Sequence, residues 1–116
     1  MSREDAKRAY QNHLDSPRGA LKREYKFLRF AGHEPDDARR LAALRFEQQH
    51  GYTCEQLEFL ILMERIVTEE CPADTPWLSA DPDFIRQTIE RQFAPGEVEP
   101  AAIATAVAWI VDRAAR

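Results

Sequence analysis

A chain of 116 residues has room for one hydrophobic core and is too short for two, so a single domain over 1–116 is expected, and the pattern read below makes it helical. Hydrophobic residues at 44% and charged ones at 31% exclude a disordered chain, and no apolar run approaches the ~18 residues of a membrane-spanning helix. The net charge of −4 is unevenly spread: residues 1–50 carry eleven Lys and Arg against eight Asp and Glu, residues 51–116 five against twelve. That pattern fits two halves attracted to each other in a small dimer, or a basic face for nucleic acid.

The chain opens MSREDAKRAYQ, charged from the start and without the apolar stretch of a secretory signal, which predicts a water-soluble, cytoplasmic protein. No segment shows the period-two alternation of a strand. Pro, Gly and capping residues divide the chain into five to six helices, so the expected fold is all-α, a compact bundle. Ser2 and Asp5 fit a capping box opening a short basic helix with Arg3, Lys7 and Arg8. Its low apolar content predicts a mobile N-terminal segment, 1–15.

Ser16-Pro17 restarts the helix, Ser as N-cap and Pro at the first helical position, and Gly32 ends it. Leu21, Tyr25 and Leu28 form an i, i+4, i+7 stripe that must face a core. Pro35-Asp36-Asp37 opens the next helix with carboxylates at the positive end of its dipole, and His50-Gly51 closes it. Ala38, Leu41, Ala42, Leu44 and Phe46 are its expected packing residues.

Thr53 and Gln56 make a second capping box, opening TCEQLEFLILMERIVTEEC. On a helical wheel Phe59, Leu60, Leu62, Met63, Ile66 and Val67 share one broad arc, while Leu57 and Ile61 form another strip. Two apolar contacts are thus expected of one helix, either both internal or one internal and one to a second subunit. After Cys71-Pro72 the chain is expected to run extended through Pro76-Trp77-Leu78, since a residue preceding Pro is pushed out of the helical region. Asp81-Pro82 caps a helix carrying Ile85, Ile89 and Phe93, stopped by Ala94-Pro95-Gly96. Glu99-Pro100 begins a last helix in which Ile103, Ala106, Val107 and Ile110 form one face and Trp109 and Val111 widen it. Such an apolar helix belongs in the core or in an oligomer interface.

Nothing in these residues calls for catalysis. His13, His33 and His50 sit beside helix ends and join no HExxH, Cys-rich cluster or facial triad. No glycine-rich phosphate loop, nucleophile elbow or Cys-His pairing occurs, so no enzyme activity, metal or cofactor is expected. Cys54 and Cys71 lie at opposite ends of one helix, about 25 Å apart at ~1.5 Å per residue, too far for an internal disulfide. Reduced thiols are the simpler expectation; bridges between antiparallel helices of a two-fold dimer are the other.

Two surfaces remain as candidates. The first is a homodimer or partner interface formed by Phe59, Leu62, Met63, Ile66 and Trp109, with Met63 adaptable enough to fit a foreign surface. The second is an anion-binding face made by Arg18, Lys22, Arg23, Lys26 and Arg29, ending at Phe30; phosphate contacts of this kind dominate nucleic-acid affinity, although Glu24 interrupts the region.

The paired helices LKREYKFLRFAG and ARRLAALRFEQQHGY, the apolar LEFLILMERIV helix and the Ala/Ile/Val-rich C-terminus resemble those of the small helical QslA-like anti-activators of bacterial quorum sensing. The likeness extends over most of the chain through general character, with no diagnostic motif, and it transfers no functional residue. It implies a cytoplasmic homodimer without cofactor that binds a LuxR-type transcription factor and prevents its dimerisation or DNA binding. The residues themselves leave two function classes: a regulator working by protein–protein interaction, and a nucleic-acid-binding helical domain using the basic face.

Overall fold

Short-range signals in the sequence set most of the helix ends. A computed structural model of the chain describes residues 16–116. Within them run α1 (Pro17–Phe30), α2 (Pro35–His50), α3 (Cys54–Glu70), a 3-10 helix (Pro76–Ala80), α4 (Pro82–Glu90) and α5 (Pro100–Ala114), with no strand among the described residues. The fold is all-α. The short helix expected after Ser2 and the expected mobility of 1–15 lie outside the described residues. No described helix is long and apolar enough to cross a membrane.

Ser16 Oγ accepts a hydrogen bond from the Gly19 amide at 3.0 Å, satisfying one of the donors that a helix start leaves open. At the other end of α1, Gly32 adopts φ +104°, its amide donates to Arg29 O, and the His33 amide donates to Leu28 O. These two bonds make a Schellman closure, which needs a left-handed residue that glycine supplies without Cβ strain. Gly51 (φ +79°) closes α2 in the same region of backbone space. Thr53 and Gln56 bond reciprocally, Gln56 N to Thr53 Oγ1 at 3.2 Å and Thr53 N to Gln56 Oε1 at 2.9 Å, and so fix the start of α3. Asp81 Oδ1 accepts from the amides of Asp83 and Phe84 to start α4.

The described residues divide into two compact units, 16–58 and 59–116, with the boundary between Glu58 and Phe59 inside α3. In the first, α1 packs on α2 around Leu28, Ala38 and Ala42, with Leu21, Tyr25 and Leu41 against them. The small Ala38 and Ala42 side chains let the two backbones approach closely. In the second, α4 packs on α5 and the 3-10 helix contacts both. Its buried side chains are Leu60, Met63, Val67, Ile85, Thr88, Ile89, Ala106, Val107 and Ile110.

Three local expectations are corrected. Residues 76–78, expected to be extended, lie in a 3-10 helix over Pro76–Ala80: proline forbids the helical region only to the residue before it, and Thr75 takes up that restriction (φ −132°, ψ 58°). Helix α4 stops at Glu90 rather than at Ala94-Pro95-Gly96, and Gln92 and Phe93 continue in turns through their amides to Ile89 O and Glu90 O. Leu44, expected to pack, is 50% exposed, because the buried line of α2 runs through Ala38, Ala42 and Phe46 and Leu44 falls on the other side of the helix.

Candidate functional site

The apolar interface read from α3 does not lie open as expected. Buried positions Leu60, Met63 and Val67 occupy one narrow arc, and Met63, at 1% exposure, is core and not a contact surface. Leu62 sits about 130° around the helix from the centre of that arc and stays 47% exposed. Phe59 and Ile66 are half-buried, and the Phe59 ring lies 6.2 Å from that of Phe93. Trp109 is half-buried with the Arg113 guanidinium 4.6 Å above its ring. Arg113 is itself held by Glu64, Nε to Oε2 at 2.6 Å and Nη2 to Oε1 at 3.3 Å, and the hydrogen bond to that carboxylate raises its pKa above the ordinary value. The five residues therefore divide into core (Met63), internally engaged rings (Phe59, Trp109) and a surface pair (Leu62, Ile66).

The basic residues of α1 likewise serve separate faces. Lys22, Arg23, Lys26 and Arg29 are exposed, and none of them has an ion pair among the described residues; Arg29 Nη1 donates to the His33 carbonyl at 3.0 Å. Arg18 is bound to Glu58 by Nε at 3.3 Å and Nη2 at 3.1 Å, and that hydrogen bond raises its pKa. Glu24, which interrupts the basic run, is occupied by Arg45 at 3.0 Å. No family model, curated protein or solved structure matches this chain.

Two features of α1 were not read as such in the sequence, which placed Phe30 at the end of the basic face but did not single out Phe27. Phe27 is 61% and Phe30 94% exposed, one turn apart on the outer side of the helix, with Arg23 and Lys26 beside them. The signal was present, since Phe27 falls outside the Leu21/Tyr25/Leu28 stripe. On the opposite side, Arg18, Leu21, Lys22 and Tyr25 of α1 face Arg39 and Ala42 of α2 across a cleft of about 490 Å³. No local signal announces Arg39 there, because only the packing of α1 on α2 brings it beside Tyr25, 5.7 Å from the ring centre.

Cys54 is buried and Cys71 half-buried, and both are free thiols. Burial first, and the neighbouring Glu58 carboxylate second, push the Cys54 thiol above its usual pKa, which disfavours the thiolate form. Among the described residues no three His, Cys, Asp or Glu side chains are grouped to hold a metal ion.

Proposed function

We propose that the protein is a regulator acting by protein–protein contact, and that the contact is made by the outer face of α1. The exposure of Phe27 and Phe30 beside Arg23 and Lys26 carries this reading. Burying a phenyl side chain is worth about 1.5–3 kcal/mol, so two rings left in water on a rigid helix reward a partner that covers them. Aromatic rings next to arginine are also the composition of interface hot spots, and an amphipathic helix face of this kind suits an apolar groove with an acidic rim. In its finer form the partner is a LuxR-type quorum-sensing transcription factor whose dimerisation or DNA binding is blocked. The resemblance of the helices to the anti-activators supports that form. A homodimer would use the surface pair Leu62 and Ile66, and Leu62→Asp would then dissociate it in sedimentation velocity.

Affinity capture of the tagged protein from its host at low and high salt tests the reading. A protein retained at high salt by the wild type and lost by the Phe27→Ser/Phe30→Ser double variant supports it, and a transcription factor in that position supports the finer form. A second reading, nucleic-acid binding, is favoured by the four exposed cations of α1 that have no ion pair among the described residues. Nucleic acid retained at low salt, released at high salt and lost with Lys22→Glu/Lys26→Glu would put that reading first.

A further inference from the structure

We propose that the cleft between α1 and α2 is a binding site for a small amphipathic organic anion, a carboxylate with an apolar body. It faces away from the proposed partner surface: on the wheel of α1 its residues centre about 160° from Phe27 and Phe30. Its volume of about 490 Å³ falls within the ~300–1,000 Å³ of small-molecule pockets. The floor is apolar, built by Leu21, Ala42 and the Tyr25 ring, while Arg18, Lys22 and Arg39 supply three positive charges. No carboxylate stands among the described lining residues. An apolar floor under a positive rim, in which Arg18 and Arg39 are each paired with one carboxylate and Lys22 with none among the described residues, selects for an anion that also buries hydrocarbon, which neither an inorganic ion nor a neutral lipid does.

The rim is both held in place and free to bind. Arg39 Nη1 is tied to Asp36 at 3.0 Å, and its guanidinium lies over Tyr25, so the group is oriented while Nε and Nη2 have no partner among the described residues. Arg18 spends Nε and Nη2 on Glu58, and its Nη1 has no partner among the described residues. Lys22 has no hydrogen bond or ion pair among the described residues, so its ammonium can donate to a bound carboxylate without breaking an existing contact. A guanidinium with spare donors in a fixed plane and a mobile ammonium together recognise a carboxylate by charge-assisted hydrogen bonds.

The test uses the full-length protein with anilinonaphthalene sulfonate as fluorescent probe, and decanoate, decanol and decylammonium as competitors. Decanoate is expected to displace the probe at least about tenfold better than decanol, the factor lost when one charged hydrogen-bond partner is missing, and decylammonium not at all. Lys22→Glu, a change at an exposed and unpaired side chain, is expected to weaken decanoate by about tenfold or more, while Phe27→Ser leaves it unchanged. Decanoate is also expected to raise the Tm of the wild type and not of Lys22→Glu, which separates binding to the folded cleft from probe uptake by loosened chain. Equal displacement by decanoate and decanol, absence of probe binding, or a Lys22→Glu variant that behaves as wild type would each overturn the proposal. Cosedimentation with phosphatidylglycerol vesicles that depends on Lys22 would overturn the free-anion form in favour of a lipid surface. The partner capture above depends on Phe27 and Phe30, so either idea can fail without the other.

Discussion

Residues 16–58 and 59–116 bury different kinds of side chain and leave different chemistry outside. The first region closes over a thin core, Leu28 against Ala38 and Ala42 with Phe46 and Cys54 also buried, and carries eight Lys and Arg against seven Asp and Glu. The second buries Leu60, Met63, Val67, two isoleucines of α4 and two branched residues of α5, and carries five cations against ten carboxylates. Yet of the large apolar side chains that stay exposed, Phe27, Phe30 and Leu44 belong to the first region and only Leu62 and Trp77 to the second. The greasier stretch of sequence is the better satisfied one. Stickiness is set by the apolar area left over after packing, and a helix pair joined through alanines has less room to cover its bulky residues.

The strongest way to break this comparison is to empty each core in turn. Ile89→Ala and Leu28→Ala should each cost about 2–5 kcal/mol, the range for removing a buried aliphatic chain. Hydrogen exchange is expected to show Ile89→Ala exposing the amides of α4 and α5 while those of α1 and α2 keep their protection, and Leu28→Ala the reverse. Loss of protection across both regions from either change would show that the geometric division is not an energetic one.

Smaller effects sharpen the picture of how each region is held. Ser16→Ala and Thr53→Ala in the first, and Asp81→Ala in the second, should each lower stability in urea by about 1 kcal/mol, the usual worth of an N-cap. Arg113→Met in the second region should cost less, about 0.5–1 kcal/mol, because the pair with Glu64 is partly exposed and screened by water. Trp109 fluorescence should shift in that variant, since the cation over its ring is gone.

The smallest effect is an alkaline one and belongs to the first region. Because the folded pKa of Cys54 is raised, its contribution to stability is fully present below the unfolded value of about 8.5 and is lost as pH rises from there through the folded value. Urea midpoints measured across that window should fall for the wild type and fall less for Cys54→Ala. At neutral pH iodoacetamide should label the half-buried Cys71 well before Cys54.

The sequence alone determined where most helices begin and end. Ser16 with Gly19, Thr53 with Gln56, Asp81 with Asp83 and Phe84, and the glycines at 32 and 51 act within four residues, so the information needed to read them is local. It also determined the all-α class, through the absence of strand periodicity. Tertiary structure alone decided which side of α3 is core, placing Met63 inside and Leu62 outside although both fit the same apolar arc, and which apolar residues of α1 and α2 stay in water. It alone set Arg39 beside Tyr25 across a cleft. The physical reason is one of range: capping is a contact between neighbours in the chain, whereas burial and the meeting of charges depend on residues far apart in sequence, which periodicity can group on a face but cannot assign to a partner.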